Sequence, residues 1–215
     1  MSFELRAPAA CLITTGESTA ENFADTKKEI LETIRLAAEA GISLIQIREK
    51  QLPARLVWEL ARDAAATTSR TGAKLLINDR ADIAVAAGAD GVHLPSNSIP
   101  VEIVRRYFPV DLIIGVSAHS LDEVLAARAE GADFAAFAPV FSTPGKGVAQ
   151  GLNELERVRD AVGEFPILAL GGIDETNFES VLTAGAAGFA AIRALNDQAR
   201  RSLILDRLRD LSQVG

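Results

Sequence analysis

The chain has 215 residues, 48% of them apolar and 24% charged, with a formal charge of −7. That composition suits an ordinary soluble protein able to bury a core and excludes a disordered one. The negative charge argues against nucleic acid or an anionic membrane as the main partner, but not against a phosphorylated ligand held by a few local cations and amides.

Eight short apolar runs follow one another along the chain: Cys11–Thr15, Leu44–Arg48, Lys74–Asn78, Gly91–Leu94, Leu112–Val116, Phe134–Pro139, Pro166–Leu170 and Gly188–Ile192. Amphipathic stretches such as Lys27–Ala40, Ala54–Arg70, Leu121–Glu130 and Asn177–Ala184 lie between them and read as helices. A helix-end, glycine, strand pattern repeats around Gly41, Gly88, Gly131 and Gly185, with each glycine where a helix C-cap needs positive φ. Repeated βα units imply a parallel sheet, and eight of them in this length imply a single α/β domain, residues 1–215, folded as a (β/α)₈ (TIM) barrel. An open doubly wound sheet is the structural alternative, but Thr14-Thr15-Gly16-Glu17 is no dinucleotide fingerprint. The single cysteine, Cys11, forbids an internal disulfide and reads as a buried strand residue. With no signal-like start and no run of ~18 apolar residues, a cytoplasmic protein without a membrane span is expected. Trp58 and Tyr107 read as helix packing residues.

In such a barrel the chemistry belongs at the strand C-termini. Gln46 and Arg48 alternate on strand two, so both can face inward, and Lys50 follows with the same parity. Arg and Lys converging from one strand end suit a phosphate or pyrophosphate; the alternative for Lys50 is a solvated rim pair with Glu49. Strand three ends in Asn78 and Asp79, the latter a weak Mg²⁺ candidate on its own. His93 lies within strand four and reads as structural. Ser117 and His119 follow strand five, where His119 suits a general acid/base or a loop tie. Thr143 and Lys146 lie in the glycine-containing loop Ser142–Gly151 after strand six. Gly171-Gly172 end strand seven ahead of a helix expected near Glu175, a natural anion nest, and Arg193 follows strand eight as a phosphate cap or a solvated charge.

These residues fall in segments that resemble the thiamine-phosphate synthase/TenI superfamily over almost the whole chain: Gln-Ile-Arg-Glu-Lys (46–50), Leu-Leu-Ile-Asn-Asp-Arg (75–80), Gly-Ala-Asp-Gly-Val-His-Leu (88–94), Ile-Gly-Val-Ser-Ala-His-Ser (114–120), Pro-Val-Phe-Ser-Thr-Pro-Gly-Lys (139–146) and Ala-Leu-Gly-Gly-Ile (169–173). The resemblance implies a transferase of thiamine biosynthesis that joins hydroxymethylpyrimidine pyrophosphate to thiazole phosphate and releases pyrophosphate. It implies that Gln46, Arg48, Lys50 and Asn78 hold the pyrimidine and its pyrophosphate, that Asp79 ligates Mg²⁺, that Ser117 and Lys146 support the leaving pyrophosphate, and that Gly172 sits on the thiazole phosphate. The sequence departs from the synthase pattern after strand four: His93-Leu94-Pro95-Ser96-Asn97-Ser98 places Ser98 where a second metal carboxylate is expected, and Arg193 replaces a small serine. That stretch resembles TenI-type proteins, which isomerise a thiazole carboxylate phosphate with the histidine matching His119 as acid/base. Three readings follow: a synthase with a weakened Mg²⁺ site, a metal-independent thiazole tautomerase, and a non-catalytic regulatory barrel that binds a phosphorylated ligand. A homo-oligomer is compatible with each.

Overall fold

The computed structural model describes residues 3–5, 7–143, 145 and 147–214. Eight strands close into a parallel barrel in sequence order, β1 (Ala9–Ile13), β2 (Leu44–Ile47), β3 (Lys74–Asn78), β4 (Gly91–Leu94), β5 (Ile113–Ala118), β6 (Phe134–Phe137), β7 (Ile167–Leu170) and β8 (Gly188–Ala191), with β8 pairing back onto β1. The expected barrel and all eight strands are present; β1 begins two residues earlier than its apolar run suggested.

Helices α1 (Phe23–Glu39), α2 (Ala54–Thr68), α3 (Ala81–Ala87), α4 (Val101–Tyr107), α5 (Leu121–Ala129), α6 (Gly151–Val162) and α7 (Phe178–Thr183) alternate with the strands, and α8 (Arg193–Asn196) and α9 (Gln198–Val214) follow β8. The glycines read as helix stops all take positive φ: Gly41 at 99°, Gly88 at 71°, Gly131 at 92° and Gly185 at 87°. Helix α7 starts at Phe178, not near Glu175. Asp174 Oδ1 accepts from the Thr176 amide at 2.9 Å and Asn177 Oδ1 from the Asp174 amide at 2.9 Å, so the side chains close a local turn that competes with helix.

Period-two alternation sorts the strand residues into two cores. Ala10, Leu12, Ile45, Ile47, Leu75, Ile77, Ile114 and Phe137 face the helices. Ala9, Cys11, Ile13, Leu44, Leu76, Ile113, Phe134, Leu168 and Ala190 fill the lumen. Phe134 occupies space that Gly115 leaves open on the neighbouring strand: a Cβ at Gly115 would stand 2.2 Å from Phe134 Cζ. Trp58 packs as expected, its indole N–H donating to Ala86 O at 3.2 Å. Tyr107 does not. It is 70% exposed at the end of α4, and Phe108 packs against the core instead.

Candidate active site

The lumen parity extends upward. Counting in twos from Leu44, Leu76, Gly91 and Ile113, the inward positions at the C-terminal ends of β2–β5 are Gln46, Asn78, His93 and Ser117, and Arg48, one residue past β2, lies near enough for its charge to act on His93. The structure therefore brings together Gln46, Arg48, Asn78 and Ser117, and adds His93 to them. Gln46 is 2% exposed, and its Nε2 donates to Asn78 Oδ1 at 3.1 Å. Arg48 is partly exposed, and no carboxylate among the described residues pairs with it. Lys50 lies in the exposed turn after β2, where strand alternation no longer sets its direction. Glu49 is not the solvated half of a rim pair: it is 4% exposed and accepts from the amides of Gly16 at 3.1 Å and Ser18 at 2.9 Å.

His93 is buried beneath this mouth, its Nε2 2.9 Å from Ser117 Oγ. Burial, assisted by the nearby Arg48 charge, pushes its pKa down to about 4, so the ring is neutral at physiological pH. Asp79 is the one non-glycine residue with positive φ among the described residues, at 61°; its amide donates to His93 O at 2.8 Å. The Ser98 hydroxyl donates to Asp79 Oδ1. No group of three or more His, Cys, Asp or Glu that could hold a metal occurs among the described residues.

Beyond β5, His119 is exposed and its Nδ1 lies 2.7 Å from Ala138 O. A carbonyl can only accept, so Nδ1 carries a proton in this contact. Gln150 Nε2 donates to His119 O at 2.8 Å, tying the end of the β6 loop to the end of β5. Thr143 Oγ1 donates to Phe141 O at 3.1 Å within that loop. Lys146 lies outside the described residues.

The far side of the mouth is built from backbone. Gly171 and Gly172 have φ of 100° and 66°, and a Cβ on either would stand 2.8 Å from the β6 loop, against Pro139 or against Phe141 and Ser142. Only glycine lets the two loops close to this distance. Asn177 Nδ2 donates to Gly172 O at 2.9 Å and fixes the turn from below. Arg193 is the exposed first residue of α8. Asp174 has its carboxyl held below the usual value, first by the Thr176 hydroxyl and to a lesser extent by Arg200 and Arg193.

Cys11 is buried in the lumen, which pushes its thiol up to about 12 and removes it as a nucleophile. A cleft of about 990 Å³ opens at the other end of the barrel, lined by Phe3, Leu5, Gly41, Lys74, Asp90 and Ile113 among others. It holds none of the residues selected above, and its Lys74 and Asp90 are paired to each other at 2.8 Å. The convergent polar groups at the C-terminal mouth outweigh its size. Sequence reasoning gave Thr14 and Glu49 no part in the site; the signal was that both lie within segments already singled out, Cys11–Thr15 and 46–50.

The family described as thiamine monophosphate synthase matches residues 11–195. A thiamine-phosphate synthase of Methanoculleus marisnigri is 42% identical over 82% of this chain and 84% of its own length. One from Caldanaerobacter subterraneus is 36% identical over 86% of this chain and 88% of its own. The solved thiamine phosphate pyrophosphorylase from Pyrococcus furiosus superposes with a TM-score of 0.82 at 31% identity, covering 98% of each chain.

Proposed function

Since the chain belongs to the thiamine monophosphate synthase family, we propose that it is a thiamine-phosphate synthase, an enzyme that transfers the hydroxymethylpyrimidine group from its pyrophosphate to thiazole phosphate. The observation that carries the reading is the inward cluster Gln46, Arg48, Asn78 and Ser117 facing the Gly171-Gly172 turn across one mouth.

In this reading the hydrogen-bonded amide pair meets the aminopyrimidine edge. Gln46 Oε1 supplies an acceptor for the exocyclic amine, and Asn78 Nδ2 supplies a donor for a ring nitrogen. Arg48 and Lys50 bind the diphosphate, and Ser117, with Lys146 taken from the resemblance alone, supports it as it leaves. Breaking the methylene C–O bond puts negative charge on the pyrophosphate, and fixed cations beside it lower that barrier. The thiazole nitrogen then forms the C–N bond to the methylene carbon. The thiazole phosphate rests on the amides of Gly171 and Gly172, with Thr143 and Arg193 at its edge. His93, neutral and 2.9 Å from Ser117 Oγ, fixes the direction of that hydroxyl.

The residues present fit Mg²⁺ only in part. Asp79 would be its protein ligand, Ser98 stands beside that carboxylate, and most other oxygens would come from the diphosphate. When bound, the ion would neutralise charge on the leaving group. An acid/base role for His119 belongs to the tautomerase reading alone, which the relatives do not favour. The reading extends to a protein that works as a cytoplasmic enzyme; no helix among the described residues is long and apolar enough to cross a membrane.

The test is pyrophosphate release from purified protein given both substrates, with and without Mg²⁺. Release coupled to thiamine phosphate formation is expected. Thiazole isomerisation without pyrophosphate release would replace the synthase by the tautomerase, and ligand binding without either reaction would leave the regulatory barrel.

A further inference from the structure

Glu49 sits between Arg48 and Lys50 in the sequence, so the simplest outcome would be an ion pair with one of them. The structure does something else. Both carboxylate oxygens accept backbone amides of the β1–α1 loop, Gly16 on Oε1 at 3.1 Å and Ser18 on Oε2 at 2.9 Å, and the group is 4% exposed. A buried carboxylate is costly unless its lone pairs are filled, and here two amides fill them. Three further contacts fasten the same loop to the β2 end. The Arg48 amide donates to Thr14 Oγ1 at 2.9 Å, the Thr14 amide to Gln46 O at 3.0 Å, and Gln51 Nε2 to Gly16 O at 3.4 Å. Gly16, with φ of 81°, then lies so close that a Cβ there would be 3.2 Å from Arg48 O and 3.6 Å from Arg48 Nη1.

We propose that Glu49 is a positioning residue for the diphosphate arm: by taking the Gly16 and Ser18 amides, and not pairing with the guanidinium, it holds the β1–α1 loop against Arg48. The loop forms a wall along one side of Arg48, and the neighbouring carboxylate is already satisfied. Arg48 therefore meets an incoming anion with no carboxylate paired to it among the described residues and its side chain confined. Glu49 touches no substrate in this arrangement. Its effect is confined to the half of the mouth that takes the diphosphate, because the Gly171-Gly172 turn shares none of these contacts.

This rests on the diphosphate reading of Arg48, and the test separates the two. Glu49→Gln keeps the shape but turns an amide NH₂ toward one backbone N–H. Expected is a rise of about tenfold in KM for the pyrimidine pyrophosphate, and in the Kd of inorganic pyrophosphate measured by calorimetry, with KM for thiazole phosphate within about twofold of wild type. If Glu49→Gln does not fold, Thr14→Val removes one contact of the same loop and is expected to give the same split at smaller size. Equal rises in both KM values, or unchanged pyrophosphate binding in a folded variant, overturn the proposal. Wild-type protein that turns over no substrate but binds pyrophosphate, with that binding weakened in Glu49→Gln, defeats the synthase reading and upholds this one. Wild-type protein that binds no pyrophosphate defeats both.

Discussion

The two halves of the barrel mouth solve the problem of holding an anion by different means. On β2–β5 the inward positions near the strand ends carry side-chain chemistry: Gln46, Arg48, Asn78, His93 and Ser117. On β6–β8 the corresponding positions are small or apolar, among them Ala136, Leu170 and Ile192, and the polar groups on offer are amides of the Gly171-Gly172 turn. A side-chain site can be strong and charged but must be oriented by neighbours, as Glu49 and Ser117's partner His93 illustrate. A backbone site is oriented by the fold itself, and what it demands is the absence of side chains. The first half suits the larger charge of a diphosphate and the second a single phosphate.

Removing the side chain that dominates the first half should have the largest effect. Arg48→Ala is expected to lower kcat/KM for pyrophosphate release by ~10²–10³-fold, while KM for thiazole phosphate changes little. A rate within about threefold of wild type would show that the polar half does not carry the diphosphate.

The next effect is one of stability. His93 has a folded pKa of about 4, below the value near 6.5 expected when unfolded. Above about pH 6.5 neither state binds the proton. Between there and about 4 the unfolded chain takes a proton that the folded one refuses, so stability falls as pH falls through that window, by roughly 3 kcal/mol at its lower end. Urea denaturation at pH 7 and 4.5 should show this loss in wild type and a smaller one in His93→Gln; equal losses would remove the buried neutral imidazole from the account.

Beneath both halves, Gly115→Ala would drive a Cβ into Phe134 and should cost about 2 kcal/mol or more, read from the denaturation midpoint. An unchanged midpoint would mean that the lumen is loosely filled. The smallest expected effect sharpens the comparison from the other side. Gly172→Ala, which meets Phe141 and Ser142 at 2.8 Å and needs positive φ, should raise KM for thiazole phosphate about tenfold and leave the pyrimidine side within about twofold. A shift in both KM values would erase the division between the halves.

The barrel was legible in the chain because each βα unit repeats the same local signals, a glycine stop and then a buried run, and the eight strands and the positive-φ glycines follow from them. Strand alternation also placed Gln46 and Arg48 on one face. It does not extend to Lys50, which lies in the exposed turn past the strand end. The partners of Glu49 lie 31 and 33 residues away in a loop without a recognisable pattern, so local reading could only treat it as a surface charge. His93 was read as structural, and its 2.9 Å contact with Ser117 depends on the register of β4 against β5, which no single strand reveals. Tyr107 misled because an aromatic ring near a helix end resembles a packing residue, whereas Phe108, one position on, takes that place.

Phe134 in the space left by Gly115 has a last consequence, for traffic. With that ring and Leu44, Leu76, Ile113 and Leu168 around it, the lumen is filled among the described residues, so the mouth is a cup with one rim. For the proposed reaction, two substrates must arrive, and pyrophosphate and thiamine phosphate must depart, over the same edge. Whichever lies deeper has to wait for the other, which makes the order of entry and exit a property of the lumen.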